Sequence, residues 1–491
     1  MDECDESHEH SDQEGSGDGI GARSVSRREF LKLAAVAGGA IGVGGGLGAV
    51  LSSCGAEETT TTAGQTTTTA GTTSTTAAQS TTTVSVAEEV GRPIKLGYVV
   101  PVTGPLAAFS TAAKWAQDHF AKAIGDGVVM GDGKKHSFEV LLRDTQSSSD
   151  RAAQVTGDLI QNDKVDLVCA AVTPDTINPA GDVAEAMGCP LISNWSEWHA
   201  FTMGRGATPD KPPFNWTYTY SFDDVLTTVN YVGALKQVQS NNVVGLVCAN
   251  DPDGNNWVQW GPPILEQGGF RVVTTDQYTP LSEDFTAQIT RLKGEGCELV
   301  VAVMITPDFT NFWTQALQQG FHPKVAFGHK GLIFPEGVIA LGPIGVNLST
   351  AGTWTPRSKF TDSLTGMNCK ELAEEYEAFS GNQWSEAVII LALFEWATDV
   401  FKRAKTVDDK QEIVSAIKST KLNTIIGEID FTAPVKDETH HPHPNATTPP
   451  QACGQWVKAT SGKWPIDKVL VFTTDPAIVE VEATLQPIEY S

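Results

Sequence analysis

Two polar loops between residues 165 and 199 carry side chains that could hold a small organic ligand. The loops lie at the ends of apolar runs, and together they supply hydroxyl groups, carboxylates and indole rings. Hydroxyls and backbone N–H groups can bind a ligand's polar groups, while aromatic rings cover its apolar part. The candidate ligand-binding residues in the two loops are Thr173, Asp175, Thr176, Trp195, Ser196 and Glu197.

The segments around these loops form a predicted βαβ unit. Val165–Val172 is almost entirely apolar, as a strand buried on both faces should be. A helix is predicted over Pro179–Met187, with Asn178 as its N-cap and Gly188 as its stop signal, and the next strand starts at Pro190. Because ligands of parallel sheets lie beyond the carboxyl ends of the strands, we expect both loops at one binding edge.

Two successive series of strands and helices follow one another along the chain. The first series occupies residues 92–214 and the second occupies residues 215–335. Two further helices are predicted at Ser385–Lys405 and Asp408–Ser419. Repeated βα units of similar size predict an α/β fold with two Rossmann-like lobes, each with a parallel-sheet core, rather than one large sheet.

The amino-terminal residues carry export and lipidation signals. Ser26–Lys32 resembles a twin-arginine export signal, and Leu51–Cys54 is similar to a lipobox. The uncharged run Leu33–Leu51 could instead be a transmembrane helix, but its many glycines weaken both helix formation and hydropathy. We therefore expect residues 1–53, an acidic leader with a signal peptide, to be removed and Cys54 to carry the lipid.

The composition limits the partners of the chain. Its 491 residues suffice for two or three domains, and 40% apolar with 19% charged residues is ordinary for a globular protein. A net charge of −25 argues against nucleic acid or an anionic membrane surface as a partner. The Thr-rich residues 54–91 cannot form a core and are interpreted as a linker.

The motifs of common enzymes are absent from the sequence. There is no G-x-S-x-G, no H-E-x-x-H and no phosphate-binding P-loop, so we predict no catalytic residue and no cofactor. Asp251–Asn255 hints at a calcium loop, but its glycine comes too early and a polar turn is favoured. His440–His443 has no partner at zinc-finger spacing, so no metal site is expected.

Six cysteines follow the lipobox. Four of them lie in or beside apolar strands, where buried thiols are expected. Cys369 and Cys453 lie in loop-like surroundings and form the preferred disulfide for an oxidising compartment.

Three stretches resemble the type I periplasmic binding proteins of the branched-chain amino acid transporter family. Gly97–Phe109 matches the family's opening strand and its P-x-T-G-P-x-A loop. Asn178–Val183 followed by Pro190–Ser193 matches the next crossovers of the sheet, and Tyr278–Lys293 matches a pattern of the second lobe. The resemblance covers residues 93–335 and continues more weakly to about residue 430.

This resemblance implies two lobes, joined by three crossover strands, that close on a ligand like jaws. Lobe 1 would comprise residues 92–214 and 336–430, and lobe 2 would comprise residues 215–335 and 431–491. It also implies a monomeric protein that delivers a small molecule to the permease of an ABC transporter. In relatives that bind amino acids, the loops named above hold the ligand carboxylate, and an aromatic residue at the position of Phe109 contacts the ligand side chain.

Three residues depart from the family's pattern. Trp195 and Glu197 stand where relatives often have a small residue and Thr, and Lys330 stands where relatives have a glutamate for the ligand ammonium. One interpretation is a cationic cleft for an organic carboxylate or an amide. In a second interpretation Lys330 points to solvent, and in a third it pairs with Glu197 and leaves Asp175 to bind an ammonium group.

The sequence favours a lipid-anchored, extracytoplasmic solute-binding protein over two other classes. A ligand-sensing ectodomain would use the same fold to signal, and neighbouring genes for a permease or for a kinase would discriminate the two. An extracellular hydrolase is disfavoured because the sequence shows no nucleophile paired with a base.

Overall fold

A computed structural model describes residues 89–208, 214–437, 441–460 and 462–490 of the chain. The predicted signal peptide, the lipidation site Cys54 and nearly all of the predicted linker lie outside these residues. Within the described ranges, no helix combines the length and the apolar character that crossing a membrane requires.

The strands and helices are numbered in chain order. The strands are β1 (Ile94–Val100), β2 (Val128–Val129), β3 (Lys135–His136), β4 (Phe138–Asp144), β5 (Leu167–Ala171), β6 (Leu191–Glu197), β7 (Thr217–Phe222), β8 (Val243–Cys248), β9 (Arg271–Thr274), β10 (Leu299–Val303), β11 (Val325–Phe327), β12 (Ser349–Gly352), β13 (Lys421–Thr424), β14 (Gly427–Asp430), β15 (Ala446–Thr447), β16 (Ala452–Lys458) and β17 (Ile466–Thr473). The α-helices are α1 (Ala113–Ile124), α2 (Ser149–Asp158), α3 (Pro174–Met187), α4 (Trp198–Thr202), α5 (Asp224–Leu235), α6 (Pro252–Gln267), α7 (Thr286–Gly294), α8 (Thr306–Gln318), α9 (Pro335–Leu341), α10 (Cys369–Ser380), α11 (Ala392–Arg403) and α12 (Lys410–Lys418). Short 3₁₀ helices occupy Ala107–Ser110, Met203–Arg205, His329–Leu332, Gly342–Gly345 and Glu386–Leu391, and a π-helical turn occupies Leu159–Asp163.

Two large sheets organise the described residues. The six-stranded sheet has the order β15-β7-β6-β5-β1-β4, and all of its neighbouring strands are parallel. The seven-stranded sheet has the order β17-β16-β12-β11-β10-β8-β9. Its strands from β9 to β12 are parallel, and β16 and β17 add an antiparallel edge. The predicted α/β class with two parallel-sheet cores is therefore confirmed.

Each parallel sheet is covered on both faces, which explains the continuous apolar runs in its central strands. In β5, Leu167 and Cys169 belong to one hydrophobic cluster, while Val168 and Ala170 belong to the cluster on the opposite face. Side chains alternate between the two faces of a strand, so a strand with helices on both sides must be apolar at every position.

The chain passes between the two sheets three times, after β7, β12 and β15. These passages lie later than the sequence patterns predicted. β7 pairs with β6, although residues from 215 onwards were assigned to lobe 2. β12 pairs with β11 of the seven-stranded sheet, although its residues were predicted in lobe 1. β15 pairs with β7 of the six-stranded sheet, although its residues were predicted in lobe 2. The division into two lobes stays a prediction, with these three strands reassigned by their pairing.

The helix after β5 begins five residues earlier than the sequence predicted. It starts at Pro174, and Pro179 lies inside it. A proline within a helix has no N–H to donate to the carbonyl four residues before it. The hydroxyl of Ser149 donates a 2.7 Å hydrogen bond to the carbonyl of Asp175 and replaces the missing bond. The predicted first polar loop is therefore the first turn of α3.

Candidate ligand-binding site

A pocket lies between the two sheets, at the carboxyl ends of their parallel strands. Thr173 follows β5 and Glu197 ends β6 on one side, while Asp253 follows β8 and Lys330 follows β11 on the other. The empty space between the atoms, including open solvent at the mouth, is about 560 Å³. This is the edge at which open α/β sheets bind ligands.

Six of the eight predicted site residues line this pocket. These residues are Phe109, Thr173, Trp195, Ser196, Glu197 and Lys330. The other two, Asp175 and Thr176, lie in the first turn of α3 and are not part of the pocket wall. The hydroxyl of Thr176 is buried and donates a 2.5 Å hydrogen bond to the carbonyl of Val172, so it stabilises the start of the helix.

Two aromatic rings of the pocket wall, Phe109 and Trp195, pack against a third ring, Phe334. Phe109 meets Trp195 and Phe334 edge to face, with ring centroids 5.7 Å and 4.8 Å apart. Trp195 and Phe334 complete the triangle at 5.7 Å. Phe109 comes from the 3₁₀ helix after β1, and the wall residue Ile333 lies just before α9, so an apolar ligand body would contact segments that follow both sheets.

Trp195 has two features that are unusual for a buried residue. Its φ angle is 66°, in the left-handed region that residues other than glycine rarely adopt. Its side chain is 5% exposed, and its Nε1–H has no hydrogen-bond partner among the described residues. A buried donor without a partner is costly, and this donor belongs to a residue of the pocket wall. Trp195 therefore offers an unused hydrogen bond to an acceptor on a ligand.

Lys330 is buried and pairs with two aspartates. These aspartates lie on the side of the pocket that belongs to the seven-stranded sheet. Its Nζ lies 2.5 Å from Oδ2 of Asp253 and 3.1 Å from Oδ2 of Asp251. The interpretation in which Lys330 points to solvent is wrong, because the residue is 4% exposed. The cationic cleft stays a prediction, which the two acidic partners of this ammonium group make less favourable. The third interpretation required an ion pair between Lys330 and Glu197, and no such direct pair forms among the described residues.

The two aspartates that hold Lys330 were interpreted from the sequence as a polar turn. Asp251 is indeed the N-cap of α6, and its carboxylate accepts a 2.7 Å hydrogen bond from the N–H of Gly254. Gly254 is required for this close turn, because a Cβ there would lie 1.9 Å from the carbonyl oxygen of Ala249. The signal that could have identified both aspartates is their position directly after the apolar strand β8.

Glu197 faces a neutral imidazole across the pocket. His329 places Nε2 3.5 Å from Oε1 of Glu197, and its Nδ1 lies 2.7 Å from the hydroxyl of Tyr231. Burial lowers the pKa of His329 to about 3, so the ring is neutral at physiological pH. No lysine or arginine of the described residues pairs with Glu197.

Several acidic side chains surround the single ammonium group of Lys330. Burial and the neighbouring Glu197 raise the pKa values of Asp224 and Asp253 well above the usual range. Burial also raises the pKa of Asp175 to about 6, although the charge of Lys330 acts in the opposite direction. Asp224 is 1% exposed, and neither of its carboxyl oxygens has a hydrogen-bond partner. The region therefore has an excess of acidic groups.

The far end of the pocket is electrically balanced. Glu386 accepts hydrogen bonds from the N–H and the hydroxyl of Thr353 and forms a buried ion pair with Lys468. Gly352 leaves room for this pair, because a Cβ there would lie 3.2 Å from Nζ of Lys468 and 3.4 Å from Oε2 of Glu386. Glu386 was not predicted as a site residue, since nothing in its local sequence indicates the lysine that it meets.

The remaining sequence predictions concern cysteine and histidine. All six described cysteines are free and buried, so the expected disulfide between Cys369 and Cys453 is wrong. The Sγ of Cys369 instead contacts the carbonyl of Phe360 at 3.4 Å. His443 lies 3.2 Å from a carboxylate oxygen of Asp437, and His440 lies outside the described residues. No group of side chains in the described part of the chain has the arrangement of a metal site.

Comparisons with known proteins identify relatives in sequence and in fold. The family model described as periplasmic binding protein matches residues 93–448. The Leu/Ile/Val-binding protein homolog 3 of Brucella melitensis is 24% identical over 355 residues, which cover 71% of this chain and 89% of that protein.

Two solved structures share the fold. The leucine-binding protein LivK of Thermotoga maritima superposes with a TM-score of 0.63 at 16% identity, covering 78% of this chain and 99% of that one. A solute-binding protein of an ABC transporter from Rhodopseudomonas palustris, in complex with 3,4-dihydroxybenzoic acid, gives a TM-score of 0.60 at 17% identity and covers 78% and 99%.

The fold and the pocket between two parallel sheets define a type I, leucine-binding-protein-like solute-binding protein. The chain belongs to the periplasmic binding protein family.

Proposed function

We propose that this protein is an extracytoplasmic, lipid-anchored receptor that captures a small organic ligand between its lobes and delivers it to an ABC importer. The observation that carries the proposal is the pocket wall, which combines the aromatic rings of Phe109 and Trp195, backed by Phe334, with polar groups from both sheets. The relatives named for leucine, isoleucine and valine binding support the transport role.

Closure would bring the two halves of this pocket together. Glu197 and Trp195 belong to the six-stranded sheet, whereas Asp253, His329 and Lys330 follow strands of the seven-stranded sheet. A ligand that contacts both groups binds the closed form more tightly than an open form and shifts the population towards it. Moving such an equilibrium from 1:99 to 99:1 requires a difference of about 5.5 kcal/mol in binding free energy.

The export route and the anchor are proposed from the sequence. Arg27 and Arg28 would direct the folded chain through twin-arginine export, and lipidation of Cys54 would hold it at the outer face of the membrane. The Thr-rich linker would then separate the binding unit, acting as a monomer, from the bilayer.

Mass spectrometry of the protein purified from its own cells tests the proposal. Native spectra should show one small organic molecule bound per chain, and denaturation should release it. Trp195→Ala, which removes one side of the aromatic triangle, should reduce the bound fraction at least tenfold. A chain that carries no small molecule, and that acquires none from an extract of its growth medium, would contradict capture of a solute.

A further inference from the structure

We infer that the ligand of this pocket is an organic cation with an apolar body and a neutral hydrogen-bond acceptor, rather than a carboxylate. This inference rests on the proposed function, because it names the chemical class that the same pocket would accept. It is carried by three observations, which concern the charge of Glu197, the pairing of Lys330 and the unused donor of Trp195.

Glu197 supplies a carboxylate that has no cationic partner. It lies in the pocket wall and is 7% exposed, and its nearest basic group is the neutral imidazole of His329 at 3.5 Å. A buried carboxylate without an opposite charge is unfavourable. An ammonium or guanidinium group on a ligand would supply that charge.

Lys330 forms no direct ion pair with Glu197 among the described residues, and its charge is shared with two other acidic groups. Asp251 and Asp253 hold its ammonium at 3.1 Å and 2.5 Å, and both are acidic groups of the same side of the pocket. Lys468, the other buried lysine near the pocket, forms its ion pair with Glu386. Both buried ammonium groups at the pocket are therefore paired, and a ligand carboxylate would instead face Glu197.

The donor of Trp195 defines the second polar group of the ligand. Its Nε1–H is unpartnered and buried in the pocket wall, whereas the hydroxyl of Ser196 already donates to the carbonyl of Glu197 at 3.3 Å. A hydroxyl, ether, carbonyl or amide oxygen could accept from the indole without bringing a negative charge near Glu197. The ligand class is thus an amine with a neutral acceptor and an apolar body that packs against Phe109.

A charge-matched ligand series tests the inference. The series contains leucinamide, leucine, N-acetylleucine and N-acetylleucinamide, which share one body and carry a cation, a zwitterion, an anion and no charge, together with the corresponding phenylalanine compounds. Calorimetric titration of the purified full-length protein should show the cationic amide binding at least tenfold tighter than the amino acid. The two N-acetylated acids should show no measurable binding.

Two variants test whether Glu197 and Trp195 produce the preference for a cationic ligand. Glu197→Gln should weaken binding of the cationic amide at least tenfold, while Glu374→Gln, at an exposed carboxylate on α10, should leave it unchanged. Trp195→Phe keeps an aromatic ring and removes the donor, so it should weaken binding of the amide more than binding of isoamylamine, which has no acceptor.

The outcomes separate the two proposals. Tighter binding of leucine, phenylalanine or either N-acetylated acid than of the cationic amides would overturn the cation class and leave solute capture intact. Binding of no compound in either series, under conditions where the protein is folded, would contradict both proposals. The titrations of the wild-type protein decide the ligand class even where a variant fails to fold.

Discussion

The Nζ atom of Lys330 lies 2.5 Å from Oδ2 of Asp253, and both side chains are almost completely buried. The two residues follow different strands, β11 and β8, so this ion pair joins two loops at the carboxyl edge of the seven-stranded sheet. Burial disfavours a charged lysine, but the two aspartates outweigh that effect and raise the pKa of Lys330 above its ordinary value. The lysine is therefore a structural cation of the pocket wall.

Lys330→Met should destabilise the protein, because it leaves Asp251 and Asp253 buried without their counter-charge. Breaking a buried pair by removing one partner costs about 3–5 kcal/mol. Urea unfolding followed by tryptophan fluorescence measures the loss. The double variant Lys330→Met with Asp253→Asn should recover part of it, and Lys370→Met, at an exposed pair with Glu374, should cost less than about 1 kcal/mol. Equal stability of Lys330→Met and Lys370→Met would show that the pair is not formed.

Asp175→Asn should change how stability depends on pH. The pKa of Asp175 is raised by burial from 3.8 to about 6 in the folded chain. Between these values the native state binds more protons than the unfolded state, so this group lowers stability as the pH rises from about 4 to about 6. The asparagine variant should therefore gain on the order of 2–3 kcal/mol over the wild type at pH 7.5, and little at pH 3.5. A difference between the two proteins that does not vary with pH would contradict the raised pKa.

Gly254→Ala should displace the start of α6 and with it the two aspartates. Its new Cβ would lie 1.9 Å from the carbonyl oxygen of Ala249, which is backbone and cannot rotate away. Overpacking of this kind costs about 3 kcal/mol. The matched control is Gly294→Ala at the end of α7, where the added Cβ meets nothing within 4 Å and stability should change by less than about 1 kcal/mol. Thermal unfolding compares the two, and a Gly254 variant as stable as its control would contradict the described turn.

Cys54→Ala should leave export intact and release the protein from the membrane fraction. A multiply acylated cysteine anchors a chain stably, whereas loss of the lipid removes the anchor. Fractionation of cells, followed by immunoblotting of the membrane and soluble fractions, gives the distribution. A Cys54→Ala protein that stays in the membrane fraction would support the alternative in which Leu33–Leu51 spans the bilayer.

Local patterns were sufficient to predict most of the sheet cores. Ile94–Val100 has the predicted bounds, because this strand is buried and apolar at nearly every position and ends before Pro101. β7 was missed, since its alternating Thr and Tyr residues follow a Pro-rich segment that suggested a boundary. The predicted helix Ser385–Lys405 divides into a 3₁₀ helix and α11 at Leu391, a change of winding that apolar periodicity does not reveal.

Contacts between residues that are far apart in the chain determine features that local sequence patterns do not predict. Helix α3 begins before Pro179 because Ser149, on another helix, binds the carbonyl that the proline leaves free. The sequence interpretation considered Lys330 without Asp251 and Asp253, which lie 79 and 77 residues away along the chain and hold its ammonium group. Such partners share no local pattern, so only the folded arrangement brings them together.

A crystal structure of the protein purified from its own cells, with its native ligand retained, tests the central claim most directly. One organic molecule should lie between the two sheets, with its apolar body against Phe109 and Trp195. A nitrogen of that molecule should lie within about 3 Å of a carboxylate oxygen of Glu197, the distance of a charge-assisted hydrogen bond. A ligand bound elsewhere, or one whose carboxylate displaces Asp253 from Lys330, would contradict it.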